Sequence, residues 1–112
     1  MDADCLFCKI VAGEIPATIV HDGDGVLAFA DVNPQAPVHV LVIPKQHVAD
    51  VGELAANPAA GTAVLAGIRA VAEQLQLASY RTVLNTGGES GQTVFHVHAH
   101  VLGGRRFGWP PG

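Results

Sequence analysis

Positive charge is scarce in this sequence. Six lysines and arginines stand against ten aspartates and glutamates among 112 residues, for a formal net charge of −4 with histidine neutral. A surface that tracks a nucleic-acid backbone needs clustered Lys and Arg, so a polynucleotide is not expected as the main partner. One small phosphate, held by backbone amides and histidines, remains compatible with that charge. Long apolar runs are absent too: no stretch approaches the roughly 20 residues of a membrane span. The N-terminus Met1-Asp2-Ala3-Asp4 is acidic and lacks the basic and apolar pattern of a signal peptide, so a cytoplasmic protein with no membrane partner is expected. Charged residues make up only 14% and hydrophobic ones 49%, which excludes a disordered chain and predicts one domain, residues 1–112, around one core. The only two cysteines, Cys5 and Cys8, form a Cys-x-x-Cys pair. In a cytoplasmic chain that spacing points to a metal or redox pair before a structural disulfide; two partly buried thiols are the plainer alternative.

What is present reads as an α+β domain. Leu6 to Glu14 suits a short N-terminal helix ending near Gly13. Thr18 to His21 and Val26 to Ala30 read as strands joined by a tight hairpin at Asp22-Gly23-Asp24-Gly25. The prolines of Asn33-Pro34-Gln35-Ala36-Pro37 make that segment a loop, and the apolar, β-branched run Val38 to Ile43 predicts a central strand. Asn57 can cap a helix with Pro58 at its first position; Val64, Ile68, Val71 and Leu75 then recur at helical spacing as far as about Leu77. Tyr80 to Thr86 and Val94 to Leu102 are the fourth and fifth strands, joined by the glycine-rich Gly87-Gly88-Glu89-Ser90-Gly91. The expected fold is an antiparallel sheet of about five strands with one main helix packed on it.

Three of the six histidines alternate at positions 96, 98 and 100. On a strand they share one face, while Phe95, Val97, Ala99 and Val101 share the other. The plain reading is a half-polar edge strand carrying exposed histidines. One metal ion bound by all three is excluded by length, since a rise of about 3.3 Å per residue puts His96 and His100 roughly 13 Å apart. A nucleophilic histidine between two neighbours that hold an anion is chemically sound, because imidazole is largely unprotonated near neutral pH. The segment Gly91-Gln92-Thr93-Val94 just before it allows close approach of backbone amides to a phosphate.

His96-Val97-His98-Ala99-His100-Val101-Leu102 resembles the signature of the histidine triad (HIT) family. The resemblance covers nearly the whole chain. Leu6-Phe7-Cys8-Lys9-Ile10, Glu14-Ile15-Pro16-Ala17, Asp31-Val32-Asn33-Pro34-Gln35-Ala36-Pro37, Leu41-Val42-Ile43-Pro44-Lys45 and the ending Gly103 to Gly112 are similar to its Hint branch. That resemblance implies a hydrolase or transferase cleaving purine nucleoside 5′-phosphoramidates through a nucleotidyl intermediate on His98. His100 would contact the phosphate, and His39 would support the triad as the family's fourth active-site histidine. Gly91, Gln92, Thr93, Val94 and Asn85 would lie along the phosphate, with Thr93 where many relatives carry serine. Asp31 would take the ribose hydroxyls, and Phe7, Phe29, Val32 and Leu41 would enclose the base.

The same resemblance implies a structural zinc on Cys5, Cys8, His47 and His96, with no cofactor required for catalysis. It further implies a homodimer in which the tail, residues 103–112 with Trp109, shapes the partner's site. Three other functions stay open on the sequence. They are a dinucleoside polyphosphate hydrolase or nucleotidyl transferase, a nucleotide-binding regulatory protein with incidental activity, and a zinc-dependent hydrolase. A zinc deaminase is not expected, because its His-x-Glu signature is missing around the triad.

Overall fold

In the computed structural model, which describes residues 4–112, nine segments of regular structure follow one another; Met1 to Ala3, where the acidic N-terminus begins, lie outside it. They are helix α1 (Leu6–Val11), strands β1 (Ile19–Gly23), β2 (Val26–Ala30) and β3 (Val38–Pro44), helices α2 (Val51–Ala55) and α3 (Pro58–Gln74), strand β4 (Tyr80–Val83), a 3-10 turn at Gly88–Ser90, and strand β5 (Ala99–Gly103). The strands form one antiparallel sheet in the order β1-β2-β3-β5-β4, so β3 and β5 are central and β4 is an edge. An α+β fold with a five-stranded antiparallel sheet and one dominant helix is what the hydrophobic patterning predicts.

The period-2 alternation of the strands divides the apolar residues between two clusters. Val26 and Ala28 of β2, Val40 and Val42 of β3, and Val97, Ala99 and Val101 face α3, where Ala60, Val64, Ile68 and Val71 meet them. Leu27, Phe29, Leu41 and Ile43 face the opposite way, against Cys5, Phe7 and Cys8 of the α1 segment. The continuous run of β3 is therefore apolar because both its faces are covered. Asn57 caps α3 by accepting from the Ala60 amide, with Pro58 next to it as expected. Gly67 marks where α3 comes closest to the sheet: a Cβ there would lie 2.6 Å from Val26 Cγ2 and 2.9 Å from Val42 Cγ1.

Several boundaries differ from the pattern-based reading. Helix α1 stops at Val11, short of Glu14, and β4 stops at Val83, short of Thr86. Helix α2 was not anticipated, although Asp50, whose carboxylate accepts from the Glu53 amide, begins an Asp-x-x-Glu capping pattern. The main difference lies in the fifth strand, which begins at Ala99 and not at Val94. Val97 donates its amide to Val48 O at 2.7 Å, outside the ladder, and paired register starts with Ala99 opposite Val42. Strict alternation therefore does not extend back to Phe95, which is 55% exposed and not part of the apolar face.

Candidate active site and metal centre

The irregular stretch before β5 exists because histidine side chains take up main-chain groups there. His98 Nδ1 lies 2.9 Å from the main-chain oxygen of His96, and His96 Nε2 lies 2.7 Å from the oxygen of Pro44. A carbonyl can only accept, so each of those ring nitrogens carries the hydrogen and each opposite nitrogen keeps a lone pair. For His98 the lone pair is on Nε2, on a ring that lines a cavity of about 670 Å³. For His96, which is fully buried, it is on Nδ1.

His96 Nδ1 faces two sulfurs, with Cys5 Sγ and Cys8 Sγ both at 3.5 Å, and Cys8 Sγ is 3.3 Å from His47 Nδ1. The ligating atoms of Cys5, Cys8, His47 and His96 all lie within 4.8 Å of one another. A tetrahedral zinc with Zn–S of about 2.3 Å and Zn–N of about 2.05 Å sets S···N separations of about 3.5 Å. The three S···N separations of 3.3–3.5 Å match that value, so the four residues are compatible with a zinc ion. Burial lowers the His96 pKa, which keeps the ring neutral as a ligand must be, and the Pro44 carbonyl fixes its orientation.

A second group, Asp31, His39 and His100, is as tight but chemically different. The Gln35 amide donates to His39 Nδ1 at 3.0 Å, so the hydrogen of that ring sits on Nε2. His39 Nε2 then donates to His100 Nδ1 at 2.9 Å, with Asp31 Oδ2 3.4 Å away. No lone pair is left on His39 for a metal. The group is instead a relay that makes His100 present Nε2–H. Burial, followed by the neighbouring His98 and His39, lowers the His100 pKa to about 4, with Asp31 opposing the shift. His100 is thus a neutral donor near pH 7.

The cavity of about 670 Å³ is lined by Phe7, Phe29, Asp31, Val32, Leu41, Thr93, Val94, His98 and His100 among the residues singled out from the sequence. Val32 stands at the rim, fully exposed. Leu6, Ile10, Ile15, Pro16, Ala17, Thr18 and Ala30 complete the lining. The motif resemblances at Leu6-Phe7-Cys8-Lys9-Ile10 and Glu14-Ile15-Pro16-Ala17 are the signals for that part. Phe7 sets its ring edge-on to Phe29 at 5.4 Å and to His98 at 5.1 Å.

Asn85, Gly91, Gln92 and Trp109 do not line this cavity. Gln92 is buried and its side chain is fully engaged, accepting from the Gly87 amide and donating to Ala49 O and Val94 O. The amides of Gly91 and Gln92 close the loop onto Gly88 O and Gly87 O. Of the four residues expected to cradle a phosphate, only Thr93 and Val94 border the cavity. Trp109 is 81% exposed, while Arg81 ties the tail to its own chain through Gly108 O.

The HIT domain family model matches residues 12–107. The chain belongs to the HIT domain family. It is 43% identical over 125 residues to the 14 kDa zinc-binding protein of Zea mays, covering 99% of this chain and 90% of that protein. It is 39% identical over 125 residues to Adenylylsulfatase HINT1 of Arabidopsis thaliana, covering 99% of this chain and 78% of the relative. Among solved structures, a HIT family hydrolase from Legionella pneumophila Philadelphia 1 superposes with a TM-score of 0.89 at 43% identity, covering 97% of this chain and 100% of that one. In this HIT domain no helix among the described residues is long and apolar enough to cross a membrane.

Proposed function

We propose that this HIT domain is a Hint-like hydrolase that cleaves nucleoside 5′-phosphoramidates through a covalent nucleotidyl-His98 intermediate. The observation that carries the reading is the His98 Nδ1 to His96 O bond of 2.9 Å, which leaves Nε2 as the nucleophile in a largely apolar cavity that also holds Asp31, Thr93 and His100. The Nε2 lone pair forms a bond to the α-phosphorus, the phosphorus–nitrogen bond breaks, and the amine leaves with a proton from solvent. Water then attacks the same phosphorus, and His98 departs with its lone pair restored. Neutral His100 donates Nε2–H to a non-bridging oxygen in both steps, an arrangement that is strongest where negative charge develops. Thr93 and Val94 border the phosphate, Asp31 accepts from the ribose hydroxyls, and Phe7, Phe29, Val32 and Leu41 hold a purine.

Trapping an acid-labile adenylyl adduct on His98 from an adenosine phosphoramidate tests the mechanism; hydrolysis with no adduct under rapid quench would exclude it. The likeness to a protein named an adenylylsulfatase favours a second substrate, an adenylyl sulfate, which reaches the same intermediate with sulfate as the leaving group. A dinucleoside polyphosphate substrate would also pass through it. Binding of AMP without turnover of any of the three would favour a regulatory protein.

Two accompanying features support a Hint-like assignment. A zinc on Cys5, Cys8, His47 and His96 would be closed by four protein ligands, so it would supply stability and leave catalysis to the histidines. The β4 edge with its exposed Tyr80 (40%), together with the exposed Leu65 of α3 (67%) and Trp109 of the tail (81%), suits a second copy of the chain as a cover. Light scattering after size exclusion should give twice the 11.6 kDa monomer mass, and a monomer at micromolar concentration would overturn the dimer.

A further inference from the structure

The two halves of this site meet in one turn of helix. Cys5 and Cys8, two of the four metal-ligating residues, flank the position of Phe7, whose ring forms a wall of the nucleotide cavity. Leu6 and Ile10, from the same helix, line that cavity as well. Helix α1 has six residues. Helices much shorter than about 12 residues do not hold their conformation in water, so α1 depends on its anchors. The anchors are Phe7, packed edge-on against Phe29 and His98, and the two sulfurs set against His47 and His96. His96 joins the halves a second time, since its ring faces the sulfurs while its main-chain oxygen holds His98. A smaller cavity of about 280 Å³ borders Cys5 and His47 of the metal centre and shares Leu6, Thr93 and Val94 with the larger cavity.

We infer that metal at the Cys5–Cys8–His47–His96 centre and nucleotide in the His98 cavity bind with positive coupling, transmitted by Phe7 on the turn between the two cysteines. The inference rests on the nucleotide reading above. Metal holds the turn that places Phe7; a base resting on Phe7 holds the turn that places the sulfurs. Such coupling is reciprocal by thermodynamic necessity, whichever ligand is added first.

Two titrations test it, and neither reads activity. Calorimetric titration with AMP should give a Kd at least about fivefold tighter for zinc-loaded protein than for chelator-stripped protein, the lower end of ordinary coupling between sites. Competition with a chromophoric chelator should then show zinc held more tightly, by the same factor, when AMP is saturating. Zinc release to the chelator passes through the stripped form, so if that form unfolds AMP would tighten zinc by global folding alone, and the Phe7→Ala comparison is what separates coupling through the turn from that case. Phe7→Ala keeps all four ligands but loses one anchor of the turn, so it should still bind zinc, more weakly than the parent, while saturating AMP no longer changes that zinc affinity. Equal zinc affinity with and without AMP in the parent, or full coupling retained in Phe7→Ala, overturns the inference alone. Failure of the zinc-loaded protein to bind AMP overturns the nucleotide reading and takes the inference with it.

Discussion

His98 and His96 are joined through the main chain: the Nδ1–H of one ring donates to the carbonyl oxygen two residues earlier, at 2.9 Å. The tautomer of the proposed nucleophile is therefore set by a group that no side-chain substitution at 96 removes. His96→Ala would lose one ring of the candidate metal centre while keeping that acceptor, whereas His98→Ala loses the proposed reacting atom itself.

His98→Ala should lower kcat by at least about 10⁴-fold on an adenosine phosphoramidate, in line with removal of a nucleophile elsewhere. AMP affinity should stay within about tenfold of the parent, because the apolar walls and Asp31 are untouched. Steady-state kinetics paired with calorimetry separates the two quantities. Retained turnover would end the covalent mechanism.

His100 should titrate near pH 4 and remain neutral, with the hydrogen on Nε2, from pH 5 to 8. Nitrogen-15 imidazole shifts report both properties, and a midpoint above 6 would contradict the buried relay. The unfolded chain protonates His100 near 6.5 and the folded chain near 4. Between those values the unfolded state binds the extra proton, so the stability tied to this group is intact above about 6.5 and is lost as pH falls toward 4. His100→Asn should flatten that part of the Tm-against-pH curve. His39→Phe removes the donor to His100 Nδ1; one such hydrogen bond, about 1 kcal/mol, corresponds to a roughly fivefold fall in kcat.

Gln92→Leu should loosen the loop before the triad. The substitution strips a buried side chain that serves the Gly87 amide and the oxygens of Ala49 and Val94. Leaving buried polar groups without partners costs roughly 1–3 kcal/mol each. A lower Tm and a raised KM are expected together, because Thr93 and Val94 follow Gln92 directly. Thermal melts and kinetics check this, and an unchanged KM would show that the brace does not position the cavity edge.

Gly67→Ala should destabilise the fold and leave the active site alone. The added methyl would meet Val26 and Val42 inside contact distance and push α3 off the sheet. Overpacking of this kind costs about 1–3 kcal/mol. A chemical-denaturation midpoint should fall accordingly, with kcat of the folded protein unchanged; a neutral result would show that the helix shifts freely.

Much of this was readable beforehand because the signals are local. Asn57-Pro58, the β3 run and the spacing of Cys5 and Cys8 each carry their meaning within a few residues. The start of β5 was not readable, since the ring nitrogens of His96 and His98 seek carbonyls at Pro44 and His96, and one of those lies 52 positions away. Gln92 resembles a phosphate contact by motif, yet its side chain is taken up by the nearby Gly87 amide and Val94 oxygen and by the oxygen of the distant Ala49. The His100 charge state follows from burial and from His39, neither of which spacing reveals. Helix α2 carried a capping pattern at Asp50 that periodicity alone overlooks in so short an element.

The relay to His100 begins at a peptide N–H, that of Gln35. Replacing Gln35 by alanine, or by almost anything else, leaves that donor in place. Only proline deletes it. A scan of substitutions would therefore record position 35 as tolerant, and a comparison of related sequences would find little reason for it to stay glutamine. The orientation of the ring proposed to hold the phosphate is here inherited from the path of the chain, so it can persist while the letters that accompany it drift.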